Sequence, residues 1–311
     1  MLIFWAMTES DFWTFVVPDS LFGVLSALAG PLLTTTTESS LWGIFQRIPL
    51  AMLSTWLNLI LFQLANQRLA RDEDVLNKPH RPIPAGLLTP LQMQRILLCA
   101  VPTVLAISYF LDTLQESLVL VGLTWMYNDL GGGDESFIVR NLIIAIAFAV
   151  YNIGALRVIC NGHSVPNISA YKWTFLISLI IFSTMSIQDL KDQPGDQARG
   201  RSTSPLVLGD KFSRWTLAIP MVFWSLFCPF YIGVAWPGFI VPLTLGLLVA
   251  VRLLVYRTPR DDQRTWDAWA GWLISVYCLP LVKSHVISLF WKSMQTLNYV
   301  WDIVWDKLAK Q

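Results

Sequence analysis

The chain has 311 residues, 54% of them hydrophobic and only 14% charged, with a formal net charge of +1. A soluble domain of this length carries roughly a quarter charged residues, so a water-soluble globule is excluded. The net charge says nothing about nucleic acid, but the sequence shows no basic stretch interleaved with aromatics, so no nucleic-acid partner is expected.

In chain order, the apolar residues fall in blocks near the ~20 needed for a helix to cross a bilayer. The predicted spans are 13–34, 43–65, 94–112, 116–132, 137–157, 168–187, 214–234, 237–256 and 267–290. The expected fold is therefore all-α, a polytopic membrane protein of nine transmembrane helices forming one domain over 1–311. The fourth span is short and runs into Asn128, Asp129 and the glycines Gly131 to Gly133. After about 291, Leu297, Val300, Trp301, Val304, Trp305 and Leu308 recur every three or four residues, which predicts an interfacial amphipathic helix over 291–311. Met1 to Ser10 has neither a cationic n-region nor a small-residue cleavage site, so no signal peptide is expected.

Basic residues follow the second, sixth and eighth spans: Arg68, Arg71, Lys78 and Arg81, then Lys191, Arg199, Arg201 and Lys211, then Arg257, Arg260 and Arg264. The segments after the first, third and seventh spans hold no Lys or Arg, and the one after the fifth has only Arg157 at its edge. By the positive-inside rule the N-terminus faces the cytosol, together with the segments after the second and sixth spans. Cys99, Cys160, Cys228 and Cys278 sit singly in apolar stretches, and His80, His163 and His285 are scattered. Neither a redox pair nor a zinc or haem site is expected. No phosphate loop or nucleophile elbow is present.

Two polar segments close the second and sixth spans. Asn66 to Gly86 reads NQRLARDEDVLNKPHRPIPAG, and Gln188 to Gly209 reads QDLKDQPGDQARGRSTSPLVLG. Dense charge beside membrane helices is costly and marks a candidate site. At about 100° per residue, Asp189, Asp192 and Asp196 share a stripe about 60° wide if the helix continues through Pro194 and Gly195. Asn66 and Glu73 share a face, with Asp74 nearby and Asp72 turned away. Carboxylates so crowded repel one another unless a cation separates them. Magnesium suits such donors, because it prefers oxygen ligands and shares substrate phosphates. Lys78, Arg81, Arg199 and Arg201 lie just beyond and are placed to grip a diphosphate. The bland alternative is two ordinary helix ends with positive-inside arginines; two of them on one predicted face favours a site.

Trp125, Tyr127 and Asn128 before the glycine run, with Tyr151 and Asn152 in mid-span, are candidate cavity lining. Interface belts account for aromatics equally well, and an interhelical hydrogen bond would satisfy Asn152. Arg140 and Lys172 are candidates for the diphosphate end on charge alone.

The two segments together resemble the UbiA superfamily of intramembrane prenyl-diphosphate enzymes. Its first motif is usually written NDxxDxxxD, commonly followed by NKPxRPxPxG; its second is DxxxD, often followed by GxxT. Asn66 and Asp74 match the first and last positions, followed by Asn77-Lys78-Pro79-His80-Arg81-Pro82 and Gly86. Asp192 and Asp196 match the second motif, with Asp189 before them and Gly200 and Thr203 after. Gln67 and Ala70 replace the first motif's inner aspartates, and Gln188 stands where some members carry lysine. Glu73 projects within about 60° of Ala70 and is a candidate substitute.

This resemblance covers most of the chain and implies nine helices around a central cavity. It implies catalytic roles for Asn66, Asp74, Asp192 and Asp196, and Mg2+ held by these together with Glu73 and Asp189. Lys78, Arg81, Arg199, Arg201, Tyr127, Asn128 and Asn152 would contact an isoprenyl diphosphate, farnesyl diphosphate being the first choice. The implied setting is the endoplasmic reticulum, with the site facing the cytosol and no obligate protein partner. The pattern looks most like a fungal branch that includes sesquiterpene cyclases, so cyclisation is the first reading and transfer to an aromatic or other small acceptor the alternative. A transporter or scaffold is disfavoured, because the polar clusters lie at span ends rather than in helices broken mid-membrane.

Overall fold

The computed structural model describes residues 2–35, 40–162 and 164–285. Among the described residues the chain is helical, with no strand beyond an isolated bridge between Thr34 and Pro166. The expected all-α membrane fold is what it forms.

Helix α1 (Leu2–Asp11) passes through a π-helical turn at Phe12–Val16 into α2 (Val17–Leu28), giving one rod over Ile3–Leu28. The rod begins and ends earlier than the expected 13–34. Pro18 has no N–H to continue the ladder of this rod, and the π-helical turn lies just before it. The rod stops at Gly30, whose φ of +57° is left-handed.

Then come α3 (Leu41–Gln67), the short α4 (Arg71–Asn77), α5 (Pro90–Phe110), α6 (Leu114–Asn128), α7 (Gly132–Glu135) and α8 (Phe137–Cys160). A Thr89–Gln92 capping box starts α5, satisfying donors that the first turn leaves open. Helix α9 (Ile168–Thr184) runs through a 3₁₀ turn into α10 (Asp189–Arg199). Pro194 lies inside α10 and cannot donate to the Leu190 carbonyl; Gln193 Nε2 donates to it instead, at 2.9 Å. Helices α11 (Ser204–Leu208), α12 (Asp210–Ile232), α13 (Ile240–Val255) and α14 (Pro259–Tyr277) complete the described fold.

Seven helical stretches among the described residues are long and apolar enough to cross a membrane. The expected fourth span is not among them, and the ninth, 267–290, runs past residue 285 and lies partly outside the described residues. At fifteen residues α6 is only about 22 Å long, and α14 opens on the polar run PRDDQR. The expected helix at 291–311 lies outside the described residues.

The main core gathers side chains of α2, α8, α9, α12, α13 and α14. Helix α8 is central and packs on α2, α3, α6 and α9. Its contact with α2 is close because of Gly23, where a Cβ would fall 2.6 Å from the Ala155 carbonyl carbon. Small residues allow such an approach where lipid supplies no hydrophobic drive between helices. Packing of α4 on α10 brings the two acidic segments together.

Candidate active site

Three helices build a chamber from the same periodicity. Leu59, Phe62, Gln63 and Asn66 of α3, Leu120, Leu123, Thr124 and Tyr127 of α6, and Arg140, Ile143, Ile144, Ala147 and Tyr151 of α8 line one cavity. Spacings of three and four residues put each set on one helix face. The cavity measures about 990 Å³, open mouth included.

Its charged groups cluster at one end. Asp11, Glu73, Asp192 and Asp196 face Lys78, Arg81, Arg140 and Arg201 there, four acids against four bases. Arg201 ties the two segments together: Nη1 donates to Glu73 at 2.7 Å and to Asp196 at 3.1 Å, while Nε donates to Asp134 at 2.9 Å. Arg199 also donates to Glu73 and Asp134, both at 3.1 Å. Arg81 donates to Asp74 at 2.9 Å and to Asp11 at 3.2 Å. Arg140 pairs with Asp189 and donates to the Tyr127 hydroxyl. Burial pushes the Asp74 carboxyl above the ordinary carboxylate range, against the pull of Arg81 and Lys78. A site so balanced takes up a diphosphate only if further cations accompany it or existing pairs open.

Of the sequence candidates, Asn66, Glu73, Lys78, Arg81, Tyr127, Asp192, Asp196 and Arg201 line the chamber. Asp74, Asp189, Asn128 and Arg199 stand behind that lining, each bonded to a residue that forms it. Asn152 does not line it: its side chain is fully buried and donates to the Tyr277 hydroxyl at 3.4 Å, so the interhelical reading applies. Trp125 is 55% exposed and faces outward. Lys172 is exposed in the first turns of α9, whose far end leads into Asp189, so it belongs to the opposite end of the bundle. Gln67, at a motif position, is buried and donates to the Met7 carbonyl and to Gln63.

Sequence reasoning missed Asp11, Gln63 and Asp134. Gln63 Nε2 donates to Asp11 at 2.8 Å, which orients the Arg81 partner. Their only signal was polarity at the edge of an apolar block. It also missed Asp19, fully buried with both carboxyl oxygens lacking a hydrogen-bond partner; an aspartate inside an apolar run was the available clue.

The donor set can be tested against a divalent cation. No group of three His, Cys, Asp or Glu among the described residues is gathered closely enough to enclose a metal. Yet Asp74, Asp189 and Asp196 each keep one buried carboxylate oxygen without a partner. Asn66 donates its amide nitrogen to Asn128 at 3.0 Å, which leaves its own oxygen uncommitted. Such oxygens fit a small hard cation that binds one or two carboxylates and completes its shell with water and substrate phosphate.

A model of the UbiA prenyltransferase family matches residues 23–276. The chain is 31% identical to diterpene cyclase eriG of Hericium erinaceus, over 90% of this chain and 86% of that one. It is 30% identical to polyprenyl transferase eriF of the same organism, over 91% and 95%. Its fold is similar to a UbiA homologue from Archaeoglobus fulgidus solved with DMAPP and Mg2+, with a TM-score of 0.62 over 90% of this chain and 99% of that one, at 12% identity.

Proposed function

The chain belongs to the UbiA prenyltransferase family, and from that premise we propose that it ionises an isoprenyl diphosphate inside the membrane and cyclises the resulting cation to a terpene hydrocarbon. It is a multi-pass membrane enzyme, a terpene cyclase or prenyltransferase of this superfamily. The observation that carries the proposal is that Asn66 and Asp196, from the two separate acidic segments, line one chamber whose deeper wall is apolar.

The diphosphate lies at the charged end, held by Lys78, Arg81 and Arg201 through charge-assisted hydrogen bonds. Asn66, Asp192 and Asp196 would hold Mg2+ there, with Glu73 as a further donor and Asp74 and Asp189, just behind the lining, as the remaining carboxylates of the two motifs. Bound Mg2+ supplies Lewis-acid stabilisation of the leaving oxygens. Arg140, braced by Asp189 and Tyr127, stands at the inner side, where the bond to the allylic carbon breaks. The prenyl chain descends between Leu59, Leu123, Ile143 and Ile144, and water is excluded by the walls it touches.

Cyclisation is favoured over transfer by what the chamber offers the cation. Phe15, Phe62, Tyr127, Tyr151 and Trp266 present aromatic side chains to it, and aromatic faces attract positive charge. The charged groups sit at the diphosphate end. Farnesyl diphosphate remains the first-choice substrate, and the endoplasmic reticulum membrane, with the site facing the cytosol, the proposed setting. Incubating membranes with farnesyl diphosphate and magnesium, without an acceptor, tests the reaction. A cyclic hydrocarbon among the volatiles supports it; product only on addition of a phenolic or quinone precursor assigns the transferase reaction instead.

A further inference from the structure

A second compartment lies behind the chamber. Leu120 and Tyr151 line both the chamber and a smaller polar cavity with room for about one water. The smaller cavity is walled by Ser54, Thr55 and Asn58 of α3 and by Glu116 and Ser117 of α6. Asn58 Oδ1 and Glu116 Oε2 are buried without hydrogen-bond partners. Glu116 Oε1 pairs with Arg157 at 2.9 Å and Ser117 bonds to Ser108 at 2.7 Å, so a hydrocarbon tail pushed here would leave Asn58 Oδ1 and Glu116 Oε2 in apolar surroundings, which is unfavourable.

The partition between the two spaces is firm. Tyr151 meets Phe15 edge-on with ring centroids 5.1 Å apart, and Phe15 packs on Phe148 at 4.4 Å. From Arg140 to Tyr151 the α8 axis rises roughly 16 Å at 1.5 Å per residue. An extended chain of three isoprene units is about that long. A fourth unit has to occupy the space that the Tyr151 ring fills, with polar groups beyond.

We propose that Tyr151, with Leu120 beside it, is the floor that sets prenyl chain length and holds the enzyme to a fifteen-carbon diphosphate. This rests on an isoprenyl diphosphate being the substrate. The ring, rather than its hydroxyl, is the specificity-determining feature.

Binding tests the floor separately from the reaction. Purified wild type and Tyr151→Ala are titrated, in detergent with magnesium, with the thiolodiphosphate analogues of geranyl, farnesyl and geranylgeranyl diphosphate, which resist ionisation. Wild type is expected to prefer farnesyl over geranylgeranyl at least tenfold, and Tyr151→Ala to erase or reverse that ratio. Tyr151→Phe keeps the wild-type order. Ala147→Phe, one turn nearer the charged end, moves the preference to geranyl and serves if Tyr151→Ala does not fold. Unchanged chain-length preference in Tyr151→Ala or in Ala147→Phe overturns the floor. If none of the three analogues binds wild type, the substrate class is wrong and the floor falls with it. If the expected order holds but wild type turns over no prenyl diphosphate, the floor stands and the proposed reaction does not.

Discussion

The side-chain amide of Asn77 is clamped against Gly195. Asn77 Oδ1 accepts from the Gly195 N–H at 3.2 Å, and its Nδ2 donates to the Asp192 carbonyl at 2.9 Å. Asn77 ends α4 in the first acidic segment and Gly195 lies within the second, so one side chain fixes their relative position. A Cβ at Gly195 would fall 2.2 Å from Asn77 Nδ2, which only glycine avoids.

Gly195→Ala is therefore expected to displace Asn77 and reduce turnover at least tenfold while the protein still inserts into membranes. Asn77→Ala loses both hydrogen bonds, at a cost of about 1–3 kcal/mol. Thermal unfolding in detergent, run beside an activity assay, checks both.

Arg201 bridges Glu73, Asp196 and Asp134 from a side chain only 5% exposed. Arg201→Ala strands buried carboxylates, and about 3–5 kcal/mol of stability is expected to go. Arg201→Lys keeps the charge but cannot donate from two nitrogens in one plane, so it is expected to restore stability in part and activity little. Comparing the two variants by melting temperature and turnover separates charge from geometry.

Glu73 lines the chamber, while Asp74 is buried behind it against Arg81. If Glu73 supplies the carboxylate missing at Ala70, Glu73→Ala and Asp74→Ala should both lose most activity, and Glu73→Gln should need more magnesium for half-maximal rate. Full activity of Glu73→Ala beside a dead Asp74→Ala would remove the compensation idea.

The chamber's charged end was legible in part because many of its residues come from two short motifs. Asp192 and Asp196 share a face of the continuous α10, as helix geometry alone expects. Asn66 and Glu73 do not follow from it, because α3 ends at Gln67 and α4 begins at Arg71, so a turn rather than a shared helix face carries both to the chamber. The ion pairs were not legible. Glu73 meets Arg201 across 128 positions and Asp189 meets Arg140 across 49, pairings fixed by how helices pack rather than by local spacing. Asn152 misled for the same reason, since its partner Tyr277 is 125 positions away. Trp125 and Tyr127 lie on one helix, yet only the second faces the chamber; an apolar helix with lipid on one side and a cavity on the other has no polarity pattern to tell its faces apart.

Asn152→Ala should thus behave as a structural change. A loss of about 1 kcal/mol of stability is expected from its single long hydrogen bond, with KM for the prenyl diphosphate unaltered. A large rise in KM at unchanged stability would return Asn152 to the substrate site.

Pyrophosphate release from farnesyl diphosphate by the purified protein, without an acceptor, tests the convergence of the two acidic segments most directly. Release should require magnesium, stop on chelation, resume on its return, and fall at least a hundredfold in both Asn66→Ala and Asp196→Ala. Wild-type rates in either variant, or release indifferent to chelation, would contradict a shared metal–diphosphate site.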